Sequence, residues 1–218
     1  MLSGERKREL LRQMLTIRAF EEMAEQLYAL GKIHGTMHLC IGQEATAVGS
    51  IAALEPEDQI TSTHRGHGHM IAKGADLKKM TAELFGKIDG YCKGKGGSMH
   101  MFSTEHKFYG GHGIVGAQVP IGAGLAFADK YLGNDRVTFA YFGDGAANQA
   151  QVAETYTMAQ LWERQSNHLG QDHQLSADRS QRSGGGDGDC RLLFHEFTEP
   201  VPGHAVQNAV FGCDNRCR

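Results

Sequence analysis

The stretch Val137-Thr138-Phe139-Ala140-Tyr141-Phe142-Gly143-Asp144-Gly145-Ala146-Ala147-Asn148-Gln149 decides the reading of this chain. An apolar strand, Val137 to Phe142, runs straight into Gly-Asp-Gly, and a helical pattern follows. In an open α/β sheet, ligands sit outside the carboxyl ends of the strands, near a helix N-terminus. A carboxylate there can hold a hard cation such as Mg²⁺, and the cation can bridge to a diphosphate. The flanking glycines, lacking Cβ, let the backbone come close to a ligand. The chemistry implied is a metal-bound diphosphate cofactor at a strand end. Taken alone, the tripeptide reads equally as a glycine turn with a capping Asp.

Outward from that point the chain alternates between helical and extended patterns. Leu10, Met14, Ile17, Met23 and Leu27 recur at helical spacing, with Gly31 as a stop. The pattern predicts further helices over Gln43–Leu54, ending before Pro56, and over Leu77–Phe85, with Asp76 as N-cap. Glycines crowd Gly86 to Gly97, which reads as a loop. A helix from Pro120 to Leu132 precedes the decisive strand, and one from Ala147 to Trp162 follows it. The alternation is that of a doubly wound α/β fold.

At 218 residues the chain is one domain or a little more, long enough to bury a core. A net charge of −3 leaves no basic footprint for nucleic acid. The 29 glycines are about twice the usual share and sit mostly in short loops, as a cofactor-binding fold places them. Five cysteines form no disulfide framework. Cys40 and Cys92 read as reduced thiols, and Cys213 and Cys217 lack the partners of a metal cluster. The opening residues enter a helical pattern at once, without a signal or transit composition. The weakly polar run Gly113 to Ala128 is too short to span a membrane. The expectation is a bacterial-type cytoplasmic protein.

Five motifs occur in order. They are Gly35-Thr36-Met37-His38-Leu39-Cys40-Ile41-Gly42-Gln43-Glu44-Ala45, Ile60-Thr61-Ser62-Thr63-His64-Arg65-Gly66-His67-Gly68-His69, Lys95-Gly96-Gly97-Ser98-Met99-His100-Met101, Phe108 to Pro120, and Gly143 to Gln149. Together they resemble the alpha subunit of the thiamine-diphosphate-dependent E1 component of 2-oxo acid dehydrogenases, with acetoin dehydrogenase as a close relative. The resemblance covers roughly residues 8 to 162. Ordered motifs of this kind are far more specific than any one of them. The resemblance implies a thiamine-diphosphate-binding fold with a mainly parallel sheet and helices on both faces. It implies thiamine diphosphate and Mg²⁺ as cofactors and oxidative decarboxylation of a small 2-oxo acid, most simply pyruvate. The acyl group would pass to a lipoyl-bearing acyltransferase component. The implied assembly is a heterotetramer with a beta subunit, without nucleic acid or membrane.

The same resemblance assigns roles. Asp144 would hold Mg²⁺, with Gly145 and Ala146 giving backbone contacts near the diphosphate. Gly113 and Val115 would hold the aminopyrimidine. Arg65 would pair with diphosphate oxygens through its planar fork, with His64 beside it as a further donor. His38 would stand at the active-site mouth, able to hydrogen-bond or pass a proton near neutral pH. From the residues alone, Arg65 is equally a solvated charge, and His38 equally a satisfied structural residue. His64, His67 and His69 lack the pattern of a zinc site.

Past Trp162 the character changes. Glu163 to Gln174 is polar, and Arg179 to Asp189 is rich in Ser, Gly, Arg and Asp. The family would place here an apolar strand ending in Asn-Asn, whose second Asn is also a Mg²⁺ ligand. Counting from Gly143, that position falls on His173, after Asp172; imidazole is a poor partner for Mg²⁺. Residues 1–162 therefore read as a partial E1 domain and 163–218 as an atypical, poorly ordered tail. That tail is expected to be sequence from a shifted frame, a fused unrelated end, or a disordered native tail. Three functions follow: the alpha subunit of a 2-oxo acid or acetoin dehydrogenase, a catalytically incompetent partner-binding fragment of one, or a generic nucleotide-binding module. The third lacks a phosphate loop ending in Gly-Lys-Ser/Thr.

Overall fold

The computed structural model describes residues 2–166, 191–197 and 208–214. The elements run α1 (Gly4–Ala29), α2 (Glu44–Ile51), β1 (Gln59–Thr63), α3 (His67–Ala72), α4 (Leu77–Leu84), β2 (Phe108–His112), α5 (Gln118–Leu132), β3 (Thr138–Gly143), α6 (Asp144–Ala147), α7 (Ala150–Ser166), β4 (Arg191–Phe197) and β5 (Asn208–Asp214). Ser3 caps α1 by accepting from the Arg6 amide at 3.1 Å. Asp76 caps α4 as expected, accepting from the Lys78 amide at 2.7 Å. One expected core position of α1 is corrected: Met23 faces solvent, and the inward stripe Ile17, Glu21, Ala24 carries a carboxylate into the core. Ile17, Glu21 and Ala24 follow the i, i+4, i+7 spacing of one helix face.

The strands form a five-stranded sheet in the order β2-β1-β3-β5-β4. β1 pairs in parallel with both β2 and β3, so three neighbouring strands end on the same edge. β5 pairs antiparallel with β3, and β4 antiparallel with β5. The sequence pattern sets no strand after Trp162; in the structure α7 runs on to Ser166 and two later segments pair as strands. The sheet is therefore mixed, with its parallel half carrying the motifs. Asp172, His173 and Cys217 lie outside the described residues.

β3 shows why helices cover both faces. Phe139 and Tyr141 join the core shared with α1, α2 and α3, in which Ile17, Ile60, Met70 and Phe108 are buried. Ala140 and Phe142 point the other way, into the cluster with Val119 of α5 and Val152 of α7. This is the period-2 alternation of a strand buried on both sides. Among the described residues no helix is long and apolar enough to cross a membrane.

α5 sits close against the sheet at Gly122. A Cβ built there would stand 2.9 Å from the Ala140 Cβ and 3.2 Å from Thr61 Oγ1. The close approach lets Thr61 Oγ1 donate to the Gln118 carbonyl at 3.0 Å and Gln118 Nε2 donate to the Tyr141 carbonyl at 2.9 Å. Gly122→Val should therefore push helix from sheet and cost about 1–3 kcal/mol, as overpacking typically does. Urea unfolding measures it, and a midpoint equal to wild type would show that Gly122 does not set this spacing.

Candidate functional site

The parallel half of the sheet gathers the expected residues by topology. His64 and Arg65 follow the end of β1, Gly113 to Val115 follow β2, and Asp144 follows β3. Thr63 is registered with His112, which sets His64 and Gly113 at the same sheet edge. Thr61 is registered with Ala140, and the same register carried onward brings Asp144 to that edge. Asp144 opens the single turn α6, with its side chain exposed and its carbonyl accepting from Asn148 Nδ2 at 3.1 Å. A Cβ at Gly145 would meet nothing within 4 Å, whereas Ala146 is buried. The space beside Gly145 is open to a ligand.

Gly113 faces His100, whose Nε2 would lie 3.0 Å from a Cβ built on the glycine. Val115 is half exposed, while its carbonyl accepts from Gln151 Nε2 at 2.7 Å and is tied to α7. His112 turns its Nε2 toward the Tyr109 carbonyl at 3.3 Å, and burial lowers its pKa.

His38 joins this edge from the loop after α1. Its ring meets that of His64 edge-on, with centroids 4.6 Å apart. Both imidazoles have lowered pKa values. Burial is the main cause for each, followed for His38 by the Arg65 and His67 charges, and for His64 by His38 and Arg65. Both are thus neutral near pH 7, able to donate at one nitrogen and accept at the other. The Arg65 amide donates to Thr63 Oγ1 at 3.1 Å, and its guanidinium donates to the Leu39 carbonyl. Among the described residues no carboxylate pairs with that guanidinium, and the Leu39 carbonyl engages one of its five N–H donors. The donor set suits a diphosphate: a guanidinium, a neutral imidazole and helix-turn amides, with one exposed carboxylate for a cation.

The other two histidines of the cluster have different work. His67 is buried, with Nδ1 2.7 Å from Glu21 Oε1 and Nε2 3.0 Å from Ser98 Oγ. His69 is buried against the Tyr141 ring, its Nδ1 3.0 Å from Ser62 Oγ and its Nε2 without a partner among the described residues. Among the described residues no group of three His, Cys, Asp or Glu side chains is arranged to hold a metal ion.

Three polar residues that position these loops were not singled out by the sequence reading. Glu83 is buried and accepts four amides of the glycine loop: Cys92 at 2.7 Å and Gly94 at 2.9 Å on Oε2, Gly96 at 2.7 Å and Gly97 at 3.1 Å on Oε1. Glu21 accepts the Cys40 amide at 2.7 Å besides binding His67. Ser98 accepts the His38 amide at 3.3 Å. A carboxylate on the apolar stripe of α1 was a readable signal for Glu21; nothing local marked Glu83.

Residues 12–169 match the family described as "Dehydrogenase E1 component". The chain belongs to the dehydrogenase E1 component family. It is 62% identical over 155 residues to a pyruvate dehydrogenase E1 component subunit alpha of Zymomonas mobilis, covering 71% of this chain and 44% of that protein. It is 61% identical over 151 residues to the protein of the same name from Rhizobium meliloti, covering 69% and 43% of the two chains. The human testis-specific mitochondrial form of the alpha subunit is 51% identical over 151 residues, 69% of this chain and 38% of its own. The chain thus spans less than half the length of these curated relatives. The E1 family is one of thiamine-diphosphate-dependent dehydrogenases, in keeping with the resemblance drawn from the motifs.

His69 gives this E1 chain an acid sensitivity of its own. Burial pushes its pKa down to about 4 from an ordinary 6.5. Below about 6.5 the unfolded chain takes up a proton that the folded chain refuses until about pH 4, so stability falls across that window and levels off beneath it. The loss from this group is on the order of 3 kcal/mol. In His69→Gln, denaturant midpoints followed from pH 7 to pH 4 should fall less steeply than in wild type. Parallel profiles would mean that His69 does not titrate differently in the two states.

Proposed function

We propose that this chain is the cofactor-binding front part of the alpha subunit of a thiamine-diphosphate-dependent 2-oxo acid dehydrogenase E1 component, with pyruvate as the substrate. The observation that carries this is the convergence of Arg65, Gly113 and Asp144 on one edge of three parallel strands, in a chain of the E1 family. Arg65 and His64 would donate to the diphosphate, and Gly145 and Ala146 would offer backbone amides. Asp144 would supply a carboxylate to Mg²⁺, a cation that takes oxygen ligands and bridges readily to phosphates. Gly113 and Val115 would hold the aminopyrimidine, one by close approach and the other by its half-exposed side chain. Bound thiamine diphosphate supplies the electron sink for decarboxylation; the protein binds, orients and excludes water. His38, neutral near pH 7, would hydrogen-bond the substrate or exchange a proton with it.

The partners proposed with this reading are a beta subunit, completing a heterotetramer, and a lipoyl-bearing acyltransferase component that accepts the acyl group. Acetoin dehydrogenase is the neighbouring alternative within the same chemistry. The names of the alpha-subunit relatives favour pyruvate.

The test is binding of thiamine diphosphate and Mg²⁺ by calorimetry, with an E1 beta subunit present, in wild type, Asp144→Asn and Arg65→Ala. Asp144→Asn should weaken Mg²⁺-dependent binding by at least about 10-fold, since even an outer-shell change at a metal costs about 10–100-fold. Arg65→Ala should weaken binding whether or not Mg²⁺ is present. Cofactor affinity unchanged by both substitutions would place the diphosphate elsewhere. Turnover of acetoin but not pyruvate by the assembled enzyme would replace the substrate assignment and leave the site standing.

A further inference from the structure

Among the described residues no strand pairs with the loop that carries His38. Residues 36–40 lie outside every helix and strand, yet their main-chain groups are met in turn by side chains from three places. The His38 amide donates to Ser98 Oγ at 3.3 Å, the Leu39 carbonyl accepts from the Arg65 guanidinium, and the Cys40 amide donates to Glu21 Oε2 at 2.7 Å. Ser98 comes from the end of the glycine loop, Arg65 from the end of β1 and Glu21 from α1.

His67 links two of these three anchors into one chain. Its Nδ1 lies 2.7 Å from Glu21 Oε1 and its Nε2 3.0 Å from Ser98 Oγ, and all three residues are buried. Glu21 accepts at both carboxylate oxygens, from His67 Nδ1 and from the Cys40 amide. His67 Nε2 shares one hydrogen with the Ser98 hydroxyl, whose oxygen also accepts the His38 amide. Every polar atom of the chain thus has a partner, and the ring and the hydroxyl are oriented together. A satisfied buried network of this kind is rigid, and removing one member leaves its neighbours unpaired.

We propose that Glu21, His67 and Ser98 form a single positioning chain for His38, holding its imidazole against His64 and Arg65 through the main chain. The inference deepens, and rests on, the reading of His38 as the imidazole that meets the substrate. None of the three side chains is a catalytic residue; each acts through the backbone of the loop. The groups that face the His38 ring are His64 and Arg65 from the segment after β1, with His67 behind them.

The test uses the full chain, labelled for NMR, in wild type, Ser98→Ala and Ser98→Thr. In wild type His38 should titrate below the ordinary histidine value. Ser98→Ala should move that titration toward the ordinary value and speed exchange of the His38 amide by about tenfold or more, the range expected when a buried donor loses its acceptor. Ser98→Thr keeps the hydroxyl and should restore both, which a purely volumetric role for Ser98 would not do. A Ser98→Ala chain that is folded, with His38 titration and amide exchange as in wild type, overturns the proposal. So does failure of Ser98→Thr to restore a shift seen in Ser98→Ala. The functional reading is checked separately by His38→Ala in the enzyme assembled with a beta subunit. Full turnover there, with the NMR shifts present, overturns the role of His38 and leaves the positioning chain intact.

Discussion

A carboxylate taken out of water must be met by donors, and in this chain the donors are loop amides. Glu83 takes four, from Cys92, Gly94, Gly96 and Gly97. Asp58 takes two, with Oδ1 accepting from the Val137 amide and Oδ2 from the Glu55 amide, both at 2.8 Å. Glu21 takes the Cys40 amide together with the His67 ring. Each carboxylate does for irregular backbone what a neighbouring strand does inside a sheet. The arrangement suits a domain whose functional residues lie on loops: a loop held by one buried anion is fixed in place without a strand partner, and its other face stays available.

The parallel strands supply the second half of the geometry. β2, β1 and β3 end together, so residues distant in sequence, His64 and Arg65, Gly113 and Val115, and Asp144, meet at one edge. Asp58 anchors the opposite end, joining the start of β1 to the start of β3 through Val137. The Glu83 loop then runs to Ser98 and His100, the first bearing on His38 and the second on Gly113. Scaffold and site are thus one hydrogen-bonded construction, and the loop carboxylates are as much part of the site as the residues that would touch a cofactor.

Much of this was legible in the sequence, because the signals were local. The strand before Gly143, the Asp76 cap and the helix ahead of Gly133 each follow from short-range pattern and steric rules. The family resemblance implies one site for Arg65, Gly113 and Asp144, and the parallel strands bring these three to one sheet edge. What escaped was polar and long-range. Glu21 lies on the buried face of α1 while apolar Met23 faces solvent, so hydrophobicity alone marks the wrong residue. Glu83 gives no sign in sequence of the amides nine to fourteen residues downstream that it binds. The histidine cluster divides into half-buried His64 and buried His67 and His69, a division made by α3 and Glu21 and invisible to spacing. The strands Arg191–Phe197 and Asn208–Asp214 are set by long-range pairing, the second with β3 and the first with the second, and not by a local period.

The claim that buried carboxylates hold the site loops is tested most directly at Glu83, by amide hydrogen exchange in Glu83→Gln. The amide side chain keeps one acceptor oxygen and turns an NH₂ group toward the other pair of donors. One pair, either Cys92 with Gly94 or Gly96 with Gly97, should therefore exchange about tenfold faster or more, while the other pair and the amides of β1 and β3 keep their protection. Unchanged protection at all four loop amides would contradict the account, for it would mean that the loop keeps its shape without the charge at its centre.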